Sequence, residues 1–241
     1  MVKNNSKNIV IFSILIIIII VLSFKILNIE KTTPQKNVVV LKEFYKLSSN
    51  ELSITNNNYE NKIKDDNYLF LGDSITDFYD LEKYYPGLPV VNSGINGNRA
   101  YDILKDMKNR VYNYNPTKIF LLIGTNQIHK EEKEKVYDSI IEIIEEIREN
   151  RPHAKIYVES IYPVNANLDK NIVKNRDNNK IKYVNSKLEE YCKKDDYLIY
   201  IDLYNELKDD DDNLNKKYSD DGLHLNDKGY EIITDIIRKY I

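Results

Sequence analysis

The stretch LFLGDSITD, Leu69–Asp77, decides how this 241-residue chain is read. Three apolar residues run into Gly72, and Asp73 and Ser74 follow before a polar stretch suited to starting a helix. The pattern is that of a strand ending in a tight turn, with Ser74 held at its mouth. A serine in that place can cap a helix by bonding a free backbone N–H. It can also be a nucleophile. The residues around it have to decide.

Working outward, short apolar runs recur at Tyr68–Leu71, Pro89–Val91, Lys118–Ile123, Lys155–Val158 and Tyr197–Ile201. Longer stretches of helical period lie between and after them. From Lys130 to Asn150, Val136, Ile140, Ile141, Ile143, Ile144 and Ile147 return at three- and four-residue steps. Similar stretches run from Asn179 to Lys194 and from Asp227 to Tyr240. Alternating strands and helices imply a parallel sheet covered on both faces. The expected fold is therefore α/β: a three-layer, flavodoxin-like domain over residues 67–241 with a five-stranded parallel sheet. In such sheets the site lies outside the carboxyl ends of the strands.

That rule says which loops meet. Those after the first three strands carry Gly72-Asp73-Ser74, Asn92 to Gly97, and Gly124-Thr125-Asn126. The loop before the last helix carries Asp220 to His224. Together they hold a hydroxyl, a Gly-rich backbone, a carboxamide and a His with an Asp three residues before it. Acyl transfer needs these groups. A serine hydroxyl is a weak nucleophile until a base takes its proton, and a carboxylate must orient a histidine base. Of the three histidines, His153 should sit at the amino end of the sheet. His129 follows the third strand but precedes a charged helix start, and is expected at the surface. His224 shares its loop with Asp221, and Gly222 lets the backbone bend so that the two side chains converge. It is the best candidate base. Asp221 is preferred over Asp220 on spacing.

These blocks resemble the GDSL-type, or SGNH, hydrolases over residues ~68–240. The first block is matched by Gly72-Asp73-Ser74, so the resemblance makes Ser74 the nucleophile. The second, Asn-x-Gly-x-x-Gly, is matched by Asn92, Gly94 and Gly97. The third is matched by Gly124 and Asn126, and the last by Asp221 and His224. The resemblance implies an oxyanion hole of the Ser74 amide, Gly97 and Asn126. It also implies a Ser74–His224–Asp221 triad that needs no cofactor or metal. One position departs: the family usually has Asp after the third-block Asn, where this chain has Gln127. The change removes a charge near the site, with lowered activity or altered substrate preference as the expectation. An α/β-hydrolase is disfavoured, because Ser74 is not in a Gly-x-Ser-x-Gly elbow.

The remaining features bound the answer. The net charge is −3, with no basic face to meet nucleic acid. A single cysteine, Cys192, excludes an intrachain disulfide and argues against a cysteine zinc site. There is no P-loop phosphate cradle, which argues against a nucleotide enzyme. The acidic run Asp209 to Asp212 lacks the glycine and closing glutamate of a calcium loop and reads as solvated. At the N-terminus, Lys3 and Lys7 precede an apolar run from Ile9 to Phe24. Residues 1–27 are expected to be an uncleaved signal-anchor, with 28–66 a polar stem or leading helix and the domain outside the cell. The expected function is a serine esterase acting on small acyl esters, acetyl above all, of cell-wall or extracellular carbohydrate. The alternatives are a lysophospholipase or short-chain lipase, and a carbohydrate-binding domain of the same fold that has lost catalysis.

Overall fold

The structure, a computed structural model, describes residues 67–241. The expected anchor and stem lie outside the described residues. Among the described residues no helix is long and apolar enough to cross a membrane.

Five strands form: β1 Tyr68–Gly72, β2 Val90–Gly94, β3 Lys118–Leu122, β4 Lys155–Glu159 and β5 Leu198–Ile201. All pair in parallel in the order β2-β1-β3-β4-β5. This is the flavodoxin-like order, with its switch point between β1 and β3. The inner strands are apolar at nearly every position because both of their faces are covered. Side-chain alternation divides them between two cores. Leu69, Leu71, Ile119, Leu121, Ile156 and Val158 belong to one core. It is closed by the helices Lys133–Asn150 and Asn178–Cys192, which bury Val136, Ile140, Ile143, Ile144 and Ile147, and Ile181, Val184 and Leu188. Phe70, Phe120 and Tyr157 point the other way, beneath Tyr230, Ile233 and Ile237 of the helix Asp227–Ile237. Register places these three rings side by side, and they stack at centroid separations of 4.7 Å across β1, β3 and β4.

The first long helix starts at Lys133, three residues later than its periodicity suggested. The chain coils first through a turn in which the Gln127 and Ile128 amides bond the Gly124 carbonyl. The acidic run bonds lysines and its own backbone. Asp212 pairs with Lys182 and, at 2.7 Å, with Lys208, while Asp209 accepts the Asn213 amide.

A buried acid ends β4. Glu159 accepts a 2.6 Å bond from the Tyr162 hydroxyl. Burial pushes its carboxyl up from 4.5 to about 7, against the opposing effect of that bond. With a folded value above the unfolded one, the protonated form stabilises the fold fully below pH 4.5. That contribution is lost as pH rises towards 7. Glu159→Gln, which cannot ionise and can still accept from Tyr162, should match the native protein at pH 4.5. At pH 8 it should be more stable by about 3 kcal/mol. Urea unfolding at the two pH values checks this, and a stability difference independent of pH would refute it.

Candidate active site

Ser74 is the first residue of a short helical turn, Ser74–Asp77, directly after β1. The capping role belongs to its neighbour: Asp73 Oδ1 accepts the Ile75 amide at 3.1 Å. The Ser74 hydroxyl is thus spared for another partner. Its Oγ lies 3.1 Å from His224 Nε2, across 150 residues of sequence. On the other side of the ring, His224 Nδ1 lies 2.7 Å from Asp221 Oδ2. Asp221 Oδ1 accepts the amides of Leu223 and His224, each at 2.8 Å. Burial alone would raise the Asp221 carboxyl, but the bonds from the His224 ring and the two amides outweigh it and hold it below 3.8. The arrangement is a hydroxyl, an imidazole and an ionised carboxylate in one hydrogen-bonded line.

The His loop depends on Gly222. Its φ is +81°, and a Cβ there would lie 2.0 Å from the Asn165 carbonyl oxygen. The Gly222 carbonyl also accepts the Asn165 amide at 2.8 Å. Gly222→Ala should therefore cost about 1–3 kcal/mol in backbone strain alone. It should also displace His224, lowering both the melting temperature and kcat. An alanine variant with native melting and turnover would contradict the tight fit.

The other two loops meet beside the serine. Asn92 donates to the Thr76 and Tyr79 carbonyls and accepts the Gly94 amide, fastening β2 to the turn that carries Ser74. Gly97, at φ +79°, forms the bend of a turn closed by the Asn98 amide on the Ile95 carbonyl. Asn126 Nδ2 donates 3.0 Å to the Asn98 carbonyl, which brings the third loop against the second next to Gly97. All five expected site residues thus lie on the loops at one rim of the sheet. Ser74, His224 and Asp221 are joined directly, and Asn126 reaches the Gly97 turn through Asn98.

One expectation changes, and one position gains a structural role. His129 is half-buried rather than on the surface, because the turn from Gly124 to Lys130 folds it inward. Its Nδ1 is enclosed, and burial together with Arg176, Lys130, Lys174 and Arg99 lowers its pKa. Gln127, the departure from the family pattern, is 1% exposed. It accepts the Ala100 amide at 2.8 Å and donates to Ser139 at 3.0 Å, so it acts as a strut between loop and helix.

Four residues have roles that the sequence reading did not give them. Asp73 is fully buried, and burial lifts its carboxyl to about 6 despite the Ile75 bond and the charges of Arg176 and His224. Arg110, also buried, donates to the Gly72 carbonyl, Ser93 Oγ and Asn98 Oδ1, tying the ends of β1 and β2 to the Gly97 turn. Arg176 donates to the Thr125 carbonyl and to Asn126 Oδ1. Phe78, half exposed, sets its ring 5.3 Å from that of His224. Nothing in the spacing or type of these four residues marks them in the sequence; each is recognised by what it touches in the fold.

Residues 70–232 match the GDSL-like Lipase/Acylhydrolase family. The chain belongs to that family. Its fold is similar to a Streptococcus pneumonia protein provisionally described as a platelet activating factor. The two are 30% identical at a TM-score of 0.69, over 85% of this chain and 98% of that one. An acetyl xylan esterase shares the fold at 21% identity and a TM-score of 0.58, over 73% of this chain and 99% of that one. Among curated proteins, the N-acylneuraminate cytidylyltransferase of Escherichia coli O18:K1:H7 is 31% identical over 176 residues. That match takes in 71% of this chain and 39% of the relative's length. As a GDSL-like protein the chain is an ester hydrolase.

Proposed function

We propose that this GDSL-like hydrolase is a serine esterase that removes small acyl groups, acetyl first among them, from carbohydrate. The observation that carries the reading is the unbroken line from Ser74 Oγ through His224 to Asp221 at the carboxyl ends of the strands. His224 Nε2 takes the proton as Ser74 Oγ attacks the ester carbonyl carbon. The carbonyl electron pair moves to oxygen, where the Ser74 amide, the Gly97 amide and Asn126 Nδ2 stabilise it. The tetrahedral adduct collapses, the C–O bond to the sugar breaks, and His224 returns the proton to the leaving alkoxide. Water then repeats the sequence on the acyl-enzyme and releases the acid. Asp221 holds the imidazole in the tautomer that this cycle needs. No step calls for a cofactor or metal.

Two comparisons favour a carbohydrate, and the first of them a sugar ester. One fold neighbour is an acetyl xylan esterase, and the curated relative is named for an acylated sugar. The location that fits is outside the cell, with residues 1–27 as the anchor and polysaccharide within reach. A lipid reading has an observation of its own: Phe78 and Ile95 expose 50% and 44% of their surface on the loops after β1 and β2. They would welcome a longer acyl chain.

A panel of p-nitrophenyl esters from acetate to palmitate, with O-acetylated xylan beside it, separates these readings. The proposal expects the highest kcat/KM on acetate and release of acetate from the polymer. Highest values on long chains would replace it with the lipid reading. Failure of a fluorophosphonate to label Ser74 would favour the non-catalytic binding domain.

A further inference from the structure

We infer that Arg176 is a positioning residue for catalysis, fixing the orientation and donor strength of the Asn126 carboxamide. The inference rests on the reading above, in which Asn126 stabilises the oxyanion. A carboxamide is nearly symmetric in shape, so packing alone does not decide which end faces the reacting carbonyl. Here one edge of a guanidinium decides it. Arg176 Nε donates 2.8 Å to the Thr125 carbonyl, and Nη2 of the same edge donates 2.9 Å to Asn126 Oδ1. The oxygen of the carboxamide is thereby turned towards Arg176. Its nitrogen is left for the Asn98 carbonyl, with a second N–H to spare. A charge-assisted bond on the oxygen also draws electron density from the amide and makes its N–H groups better donors.

The arginine is itself braced. Nη1 donates to the carbonyls of Ile172 and Val173, each at 3.1 Å, at the end of the short helix Lys170–Val173. Asp177, the next residue, caps the helix Asn178–Cys192 through the Asn179 amide. The fork is therefore held from both flanks before any substrate arrives. Lysine cannot replace it, because a single ammonium lacks the planar pair of donors that spans a main-chain and a side-chain carbonyl. Burial works against the arginine's ionised form and lowers its pKa, with the Asp73 charge partly opposing that.

The test compares Asn126→Ala, Arg176→Ala, Arg176→Lys and the double alanine variant on the best p-nitrophenyl ester, with melting temperatures alongside. Asn126→Ala should lower kcat by about 10²–10³. Arg176→Ala should lower it by about 10–10², with KM within about threefold. The double variant should be no slower than Asn126→Ala alone, since without the carboxamide there is nothing left to position. Added guanidinium should restore part of the Arg176→Ala rate and none of the double variant's. If Arg176→Ala does not fold, Arg176→Lys carries the same comparison with a smaller loss. Multiplying losses in the double variant, a native kcat in both Arg176 variants, or rescue that persists without Asn126 would each overturn the inference. A native kcat in Asn126→Ala would instead remove the oxyanion assignment on which it stands.

Discussion

Ser74→Ala should reduce kcat on p-nitrophenyl acetate by about 10⁴–10⁶-fold and leave KM nearly unchanged. The loss is this large because every covalent step passes through Ser74 Oγ, and His224 then has no proton to take. What survives should be the modest acceleration that the oxyanion donors give to direct attack by water. The fold should be spared. The cap on the Ser74–Asp77 turn comes from Asp73 Oδ1 to the Ile75 amide, so deleting the hydroxyl removes no backbone partner. Kinetics and a thermal melt on the same preparation check both halves. An alanine variant with more than about a tenth of native turnover would show that Ser74 is not the nucleophile.

Asp221→Asn has the second largest expected effect, about 10⁴ in kcat, for a different reason. The native carboxylate uses Oδ1 for the Leu223 and His224 amides and Oδ2 for His224 Nδ1. In an asparagine, the oxygen must remain with the two amides that shape the loop. The NH₂ then faces Nδ1 and donates to it. That forces the ring proton onto Nε2, the atom that has to accept from Ser74. Geometry is preserved and the base is disabled. Because the native carboxyl is held below 3.8, its bonds stabilise the loop at pH values above that, and the contribution is lost only as pH falls through the lowered value. A pH series from 5 to 9 on the Asn variant should stay flat and low. Recovery to native turnover anywhere in that range would exclude Asp221 as the orienting group.

Much of this was legible in the chain, and the reason is physical. Parallel strands buried on both faces must be apolar almost throughout, so Leu69-Phe-Leu71 and Phe120-Leu-Leu122 announce themselves without an alternating pattern to decode. Reactive groups sit directly after those strands, so locating β1 and β3 also located Ser74 and Asn126. His224 and Asp221 were legible as a pair because they share one loop. What escaped notice acts across loops. Arg176 and Arg110 are recognised by what they grip, the Thr125 carbonyl and Asn126 Oδ1 for one and the Gly72 carbonyl for the other, and those partners are 51, 50 and 38 residues away. Gln127 read as a lost charge because its neighbour faces the site. The structure adds that its side chain accepts the Ala100 amide. The inward fold of His129 followed from hydrogen bonds in the turn that precedes the periodic helix, where periodicity gives no guide.

The distance between nucleophile and base along the chain has a consequence in time. Ser74 and His224 are separated by 150 residues. At about 5–20 residues per second, His224 leaves the ribosome roughly 8–30 s after the serine does. The Tyr230 hydroxyl, in the last helix, must then reach the Ile75 carbonyl before the two ends of the site are latched together. Through that interval Ser74 is an ordinary alcohol. On the proposed mechanism, the nascent chain holds a nucleophile without its base, and the closing of its final helix is what completes the site.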